Sequence, residues 1–332
     1  MSKNILVTGG AGFVAFYLAK FLANNSHDKV TVIDNLSRGR HDAEFSQFLT
    51  QPNVRFIEAD MTNTNFYSQL DNHYDEIYHL AAINGTKYFY EKPQEVLRVN
   101  ILSLMNLLEW STPENTGKLV FTSSSEAYAG TVKCFGEYEN FMPSKEDIPL
   151  TIDDVFNARF SYGGSKLIGE LLTVNYLRTK KIPFSIIRYH NIYAGRMGFE
   201  HVLPEFCKRI ADKENPFKIF GGTETRAFCY VDDAVEATVA VMRSEKCNTE
   251  VIHVGNSKEE ITIKELAEKL FELAGYKCEF DIQAAPQGSV SRRCPDTSKL
   301  KALTGFEAKI NLSEGLKKTL DWYLKKYAEL KN

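Results

Sequence analysis

A short apolar run near the start of the chain leads directly into a glycine-rich turn. The run is Asn4-Ile5-Leu6-Val7-Thr8, and Gly9-Gly10-Ala11-Gly12 ends it. Beyond the glycines, apolar side chains recur at helical spacing at Phe13, Val14, Tyr17, Leu18, Phe21 and Leu22. A strand, a glycine turn and a helix in this order favour nucleotide binding, because the helix N-terminus offers free N–H groups to phosphates and glycines allow their close approach. A plain strand–turn–helix remains the alternative at this point.

Further apolar runs alternate with helical patterns along the first half of the chain. Strands are predicted at 29–33, 54–60, 76–82, 118–122 and 183–188. This alternation predicts a Rossmann-type doubly wound α/β fold, in which a parallel sheet carries helices on both faces. We expect residues 1–190 to form this dinucleotide-binding domain with the catalytic residues. Residues 191–332 are expected to form a smaller C-terminal mixed α/β lobe that binds the substrate, with the chain crossing between the two lobes.

The carboxyl ends of the predicted strands indicate which dinucleotide is bound. Asp34 ends the second strand, where an acidic side chain binds the adenosine ribose and repels a 2′-phosphate. NAD is therefore favoured over NADP, although Arg38 and Arg40 nearby leave NADP open. Bulky Phe16 follows Ala15, which stands at the third glycine position, and we expect Phe16 to reshape the pyrophosphate site and to make the protein hold NAD unusually tightly. The residues predicted to bind the cofactor from these positions are Gly9, Gly12, Phe13, Val14, Asp34, Asn35, Asp60, Met61, Leu80, Ala81 and Ala82.

Tyr162 and Lys166 lie four residues apart, on one face of a predicted helix. An ammonium beneath a phenol lowers the pKa of the phenol, so that the phenolate can take a proton from an alcohol. The same spacing also arises by chance on surface helices. Ser124, Ser125 and Glu126 follow the fifth strand, and their side chains can hold a substrate alcohol or move a second proton; the alternative is that they cap the next helix.

Composition excludes several classes of function. The formal net charge is −3 and no basic run is present, which argues against a nucleic-acid partner. No apolar stretch is long enough to span a membrane, and we expect no signal peptide from the way the first residues lead into a strand. Six cysteines without a Cys-x-x-Cys pair and seven histidines without ligand spacing indicate a cytoplasmic protein with no metal site.

Together these motifs resemble the extended short-chain dehydrogenase/reductase family, in its NAD-dependent nucleotide-sugar epimerase/dehydratase branch. Eight segments match in the family's order along nearly the whole chain. They are Thr8-Gly9-Gly10-Ala11-Gly12-Phe13, Asp34-Asn35-Leu36, His79-Leu80-Ala81-Ala82, Ser123-Ser124-Ser125-Glu126-Ala127-Tyr128, Tyr162-Gly163-Gly164-Ser165-Lys166, Arg188-Tyr189-His190-Asn191-Ile192-Tyr193, Arg226-Ala227-Phe228-Cys229-Tyr230-Val231-Asp232-Asp233 and Arg293-Cys294-Pro295-Asp296.

The resemblance implies an enzyme that oxidises the C4 hydroxyl of a nucleotide-diphosphate sugar, a hexose or heptose, for surface polysaccharide synthesis. Tyr162 would be the general base, and Lys166 would bind the nicotinamide ribose and lower the Tyr162 pKa. Ser124 would bind the 4-hydroxyl and Asn100 would belong to the cofactor site. Asn191, Arg226 and Arg293 would bind the substrate, the two arginines at its diphosphate.

The resemblance leaves the fate of the 4-keto sugar open among release, epimerisation, loss of water and decarboxylation. Ser125 and Glu126 would carry the later chemistry, with Glu126 as the C5 base of a 4,6-dehydratase, although Ser125 is a weaker acid than the Asp usual there. The long segment 131–160 is expected to form a loop over the sugar. A homodimer or homotetramer is implied. The competing functions are an NADP-linked reductase of a non-nucleotide alcohol or ketone, and a non-catalytic NAD-binding regulator.

Overall fold

Seven parallel strands form the central sheet of the computed structural model, which describes residues 2–24, 27–136, 141–285 and 290–331. The strands are β1 (Asn4–Thr8), β2 (Lys29–Asp34), β3 (Val54–Glu58), β4 (Tyr74–His79), β5 (Thr116–Ser124), β6 (Phe184–Tyr189) and β11 (Glu250–Val254). Their order across the sheet is β3-β2-β1-β4-β5-β6-β11, and each neighbouring pair is parallel. The predicted doubly wound Rossmann-type fold is confirmed.

Helices cover both faces of this sheet. Alternate residues of β1 belong to two separate cores: Ile5 and Val7 pack with α1 (Phe13–Asn24) and α8 (Val231–Arg243), whereas Leu6 packs with α4 (Pro93–Trp110) and α6 (Phe160–Lys180). All three side chains are fully buried, as expected for a parallel strand covered on both sides. The remaining helices of the first half are α2 (Ala43–Phe48), α3 (Thr86–Glu91) and α5 (Thr131–Phe135).

The division into two lobes at residue 190 stays a prediction; shorter elements are frequent in the second half of the chain. Its small sheets pair β9 (Thr225–Ala227) with β12 (Glu260–Thr262) and β14 (Arg292–Arg293), β8 (Phe217–Phe220) with β13 (Phe280–Gln283), and β7 (Ile192–Tyr193) with β10 (Cys229–Tyr230). Besides α8, its helices are α7 (Val202–Ala211), α9 (Ile263–Ala274), α10 (Ser298–Thr304) and α11 (Leu312–Lys331). The chain returns to the central sheet between these elements, through α8 and β11.

The exposed faces of α4 and α6 carry the apolar side chains of Leu97, Ile168 and Leu171. The expected homo-oligomer, through helices of the first lobe, stays a prediction. Within the described ranges, none of the helices has the length and apolar character that crossing a bilayer requires.

Candidate active site

A cavity of about 620 Å³ opens beyond the carboxyl ends of the strands. It is lined by the glycine turn, by the ends of β2, β4 and β5, by the start of α6, and by segments of the second half of the chain. Every residue predicted from the strand ends to bind the cofactor lines this cavity: Gly9, Gly12, Phe13, Val14, Asp34, Asn35, Asp60, Met61, Leu80, Ala81 and Ala82. The sheet topology therefore brings together residues that the sequence separates.

The glycine turn is shaped for close approach of a ligand backbone. Gly9 has φ +74°, and a Cβ there would lie 2.9 Å from Ala81 Cα, so both conformation and space require glycine. Gly12 N–H donates to Gly9 O at 2.9 Å, and α1 begins at the next residue, with its first N–H groups beside the cavity. These residues fit the pyrophosphate of a dinucleotide.

Asp34, at the end of β2, links that strand to the glycine turn through hydrogen bonds. Its carboxylate accepts hydrogen bonds from Leu36 N at 2.7 Å and from Ala11 N at 3.1 Å. Burial raises the pKa of Asp34, and these two bonds oppose the increase. Each oxygen keeps a lone pair for a ribose hydroxyl, so the predicted role is compatible with the geometry.

Phe16 lies in the hydrophobic core and does not line the cavity. It is 2% exposed and packs edge-on to Tyr17 and Phe48, with the Arg196 guanidinium 4.0 Å from its ring centre. The expectation that Phe16 reshapes the pyrophosphate site is therefore wrong, because aromatic packing turns the side chain to the other side of α1.

Asn100 braces the site without lining the cavity. Its amide accepts from Ile83 N at 2.7 Å and donates to Ile83 O at 3.2 Å and to Ser165 Oγ at 3.0 Å. The side chain joins α4, the loop after β4 and α6. Its predicted place in the cofactor site stays a prediction.

Tyr162 and Lys166 lie one turn apart near the start of α6, and both are buried beside the cavity. The Tyr162 ring stacks on Phe89, with 4.9 Å between ring centres and 11° between planes. The Lys166 ammonium donates to Thr122 O at 2.7 Å and lies 5.7 Å from the Tyr162 ring centre. The helix and the end of β5 thus fix both side chains relative to the cofactor end of the cavity.

The protonation of this pair differs from the sequence-based expectation. Burial raises the pKa of Tyr162, and so does the charge of Glu126, while the Ser124 hydrogen bond and the Arg38 charge lower it. Burial also lowers the pKa of Lys166 to about 8, against the attraction of Glu170. The expected lowering of the Tyr162 pKa by Lys166 is not seen; Ser124 and Arg38 are the groups that favour the phenolate.

Glu126 lines the cavity just after the end of β5, and its carboxylate is held between two arginines. Its carboxylate accepts from Arg159 Nε at 3.0 Å and Nη2 at 2.8 Å, and from Arg293 Nη1 at 2.7 Å. Although burial acts to raise it, these guanidinium groups lower the pKa of Glu126 to about 2. Glu126 is therefore an anion at neutral pH, and its predicted role as a proton shuttle or C5 base stays a prediction.

Arg293 lines the same part of the cavity as Glu126. Its Nη2 is buried and has no hydrogen-bond partner among the described residues, whereas Nη1 holds Glu126. Ser125, which is 3% exposed, lines the same part of the cavity, as does Ser124. This part of the cavity is lined by two hydroxyls, one carboxylate and an arginine, of which one nitrogen has no hydrogen-bond partner among the described residues.

Asn191 lines the cavity, whereas Arg226 lies beside Arg293 without lining it. Asn191 lines the cavity and donates through Nδ2 to Ala227 O at 3.0 Å. Arg226 stands beside Arg293 in the pairing of β9 with β14, but donates to Thr225 O at 2.7 Å and does not line the cavity. Burial and the charge of Arg293 lower the pKa of Arg226 to about 10, so it adds positive charge to the neighbourhood. Direct binding of the diphosphate by Arg226 stays a prediction.

The segment expected to cover the sugar contains α5 and irregular chain, and its residues 137–140 lie outside the described residues. Ser144 N donates to Cys294 O at 2.8 Å, which joins this segment to the strand that carries Arg293. At its end, Arg159 reaches Glu126. Arg159 was missed from the sequence; a charged residue directly before the helix that carries Tyr162 was the available signal.

Comparison with known proteins agrees with this geometry. The family model described as "NAD dependent epimerase/dehydratase family" matches residues 5–255. The UDP-N-acetyl-alpha-D-glucosaminuronate decarboxylase of Bacillus cytotoxicus is 32% identical, covering 97% of this chain and 98% of that protein. The UDP-glucuronate 4-epimerase of Thermodesulfobacterium geofontis is 32% identical over 96% of this chain and 95% of that protein.

A solved structure shows the same likeness in three dimensions. The UDP-glucuronic acid 4-epimerase of Bacillus cereus, in complex with UDP-glucuronic acid and NAD, superposes with a TM-score of 0.84 and 28% identity, over 98% of this chain and all of that one (100%). The resemblance, the enzymatic nature and the NAD cofactor predicted from the sequence are confirmed. This chain belongs to the NAD-dependent epimerase/dehydratase family and is an NAD-dependent enzyme of that family.

Proposed function

We propose that this enzyme decarboxylates a UDP-linked hexuronic acid after oxidising its C4 hydroxyl. One observation carries the proposal: Arg293, which is fixed by Glu126, lines the cavity beside Ser124 and Ser125 and has a buried Nη2 without a hydrogen-bond partner among the described residues. A guanidinium edge binds a carboxylate well, and a hexuronic acid presents one at C6, next to the reacting carbons. The names of the relatives that are UDP-uronate decarboxylases support UDP as the nucleotide.

Oxidation at C4 uses the groups at the start of α6 and the end of β5. When bound, NAD supplies the two-electron oxidation at C4 and its reversal. The Tyr162 oxygen accepts the proton of the 4-hydroxyl, and Ser124, which hydrogen bonds to Tyr162, orients that hydroxyl. The Lys166 ammonium is held near the Tyr162 ring by Thr122 O, while the Ser124 hydrogen bond and the Arg38 charge favour the deprotonated phenol.

A ketone at C4 makes the C6 carboxylate that of a β-keto acid. The bond between C5 and C6 then breaks and CO₂ leaves. The electron pair of the broken bond stays on the sugar and forms an enolate across C4, C5 and the C4 oxygen. Ser124 and Tyr162 donate hydrogen bonds to the C4 oxygen and stabilise that charge. A proton from solvent takes the place of the carboxylate at C5, so that a UDP-hexuronate and a proton give a UDP-pentose and CO₂.

Glu126 and Ser125 argue against loss of water as the second step. A carboxyl group whose pKa is about 2 is a weak base for C5 and is not a proton donor at neutral pH. Ser125, at the position of the usual acid, is a hydroxyl of high pKa and does not protonate a leaving group. The dehydratase function is therefore not supported by these two side chains.

Epimerisation at C4 of the same UDP-uronate is the second candidate. It requires the same oxidation, with hydrogen returned to the opposite face of C4 and the carboxylate retained. The specific observation in its favour is again Arg293, since a guanidinium that holds the carboxylate in the ring plane also slows loss of CO₂. The Glu126 anion beside the same arginine weakens that hold, which is why we place decarboxylation first.

The experiment compares substrates by the mass of their products. Purified enzyme is incubated with UDP-glucuronate, UDP-N-acetylglucosaminuronate and UDP-glucose, and the nucleotide sugars are separated and weighed by mass spectrometry. We expect a uronate to lose the mass of CO₂ and UDP-glucose to remain unchanged in mass. Conversion of the uronate at unchanged mass would instead establish the 4-epimerase, and loss of the mass of water from UDP-glucose would establish the dehydratase.

A further inference from the structure

The backbone of Arg38 lies beside the glycine turn, on the segment between β2 and α2. Arg40 N donates to Ala11 O at 3.2 Å. A Cβ on Gly39 would lie 2.6 Å from Ala11 Cβ, so this segment rests directly on the turn. The backbone of Arg38 is thereby fixed next to the residues that fit a pyrophosphate.

The side chain of Arg38 extends from there towards Tyr88 in α3 and Glu200 in the segment before α7. Its guanidinium carbon lies 4.1 Å from the ring centre of Tyr88, and Nη2 lies 3.9 Å from Glu200 Oε2. A Cβ on Gly85 would lie 3.2 Å from Nη1, which shows how closely the loop after β4 approaches the guanidinium. Arg38, Tyr88 and Glu200 all line the cavity.

Each of these two charged side chains has a buried polar atom without a hydrogen-bond partner among the described residues. Nη1 of Arg38 and Oε2 of Glu200 have no hydrogen-bond partner among the described residues. At 3.9 Å the ion pair is too long for a hydrogen bond, so the guanidinium keeps donors available. Leaving such a donor buried and unused is unfavourable, and a ligand in the cavity that accepts from it removes that cost.

We propose that Arg38 is a ligand for the pyrophosphate of bound NAD, opposite the N–H groups of the glycine turn. An arginine fork matches phosphate oxygens, and Tyr88 stacks the guanidinium in one orientation. A UDP-sugar also carries a diphosphate, but the attachment of Arg38 to the glycine turn assigns it to the dinucleotide. Arg38 therefore slows the release of NAD, which suits an enzyme that returns the cofactor to its oxidised form in each turnover.

This proposal rests on the NAD cofactor and not on the fate of the sugar, so its failure would leave the proposed decarboxylation untouched, and the reverse also holds. Arg38→Gln removes the cation, Arg38→Lys keeps the charge without the fork, and Arg40→Gln removes the same charge from the same segment. Arg40 is the matched control because its guanidinium lies on Phe199, 4.3 Å from the ring centre. Thermal melting of each variant checks that it is folded.

The first measurement is the rate at which NAD leaves the holoenzyme, from the nucleotide retained after rapid gel filtration. Loss of a charged hydrogen bond corresponds to about tenfold to a hundredfold faster release in Arg38→Gln, with Arg38→Lys between it and the wild type. Arg40 also lines the cavity, but its guanidinium stacks on Phe199, so Arg40→Gln is expected to stay within about threefold of the wild type. Equal acceleration in both glutamine variants would overturn the proposal.

The second measurement identifies the group that Arg38 binds. The affinities of ADP-ribose, adenosine and UDP for each variant are measured from their competition with NAD. Arg38→Gln should weaken ADP-ribose and leave adenosine unchanged, because adenosine carries no pyrophosphate. An equal loss for adenosine would mean that Arg38 only supports the fold, and a loss for UDP without one for ADP-ribose would assign Arg38 to the substrate; either result overturns the proposal.

Discussion

Replacing Glu126 by Gln tests the charge arrangement on which the site depends. Arg159 and Arg293 lower the pKa of Glu126 from 4.5 to about 2, and its side chain is 13% exposed. A difference of about 2.5 units corresponds to roughly 3 kcal/mol, at about 1.4 kcal/mol per unit. Because the folded-state pKa lies below the unfolded one, this stabilisation is fully present above pH 4.5 and is lost as the pH falls through about 2.

Glu126→Gln should therefore melt lower than the wild type at pH 7, since two arginines are left facing each other without their anion. For a chain of 332 residues, roughly 3 kcal/mol corresponds to a decrease of about 4 °C in Tm. The matched control is Glu260→Gln, which breaks the more exposed pair with Arg292 and should cost less than about 1 kcal/mol.

The assay is thermal melting of the three proteins between pH 5 and pH 8, where the decrease for Glu126→Gln should be constant. The reasoning is refuted if Glu126→Gln melts at or above the wild-type temperature, or if the decrease grows as the pH is lowered from 8 to 5. Either result would mean that Glu126 is not a stabilising anion between the arginines.

Three further outcomes follow from the cofactor end of the site. Tyr162→Phe should keep the stacking on Phe89 and the affinity for NAD, while kcat falls by about a hundredfold or more, as loss of a general base predicts; a kcat within about threefold of wild type would contradict the role of the phenol. Because burial lowers the pKa of Lys166 to about 8, its ammonium is lost as the pH rises, so titration calorimetry should show NAD binding weaken above pH 8; binding that stays constant to pH 9.5 would contradict it. Asp34→Ala should weaken NAD more than NADP in the same measurement, and an equal loss for both would remove Asp34 from cofactor selection.

Much of the fold and the cofactor end could be predicted because their signals are local in sequence. The glycine turn joins a strand to a helix within a few residues, and Tyr162 and Lys166 share one helix. Asp34 ends its own strand, and parallel topology then places these groups at one edge of the sheet. Local pattern and topology were enough here.

Contacts between distant segments could not be predicted in this way. Glu126 and Arg293 are separated by 167 positions, and the segment that brings Arg159 to them shows no regular pattern. Arg38 and Glu200 lie far apart in the sequence, yet Nη2 of Arg38 is 3.9 Å from Oε2 of Glu200. Phe16 shows the opposite error, since its sequence position indicated the cofactor site whereas packing placed it in the core.

The measurement that tests the central claim most directly follows the C6 carbon of a UDP-hexuronate labelled there with carbon-13. The account predicts that labelled CO₂ appears in equal amount to an unlabelled UDP-pentose, while NAD is neither consumed nor released. Label that stays in the nucleotide sugar throughout turnover would contradict decarboxylation and leave oxidation at C4 with return to the opposite face.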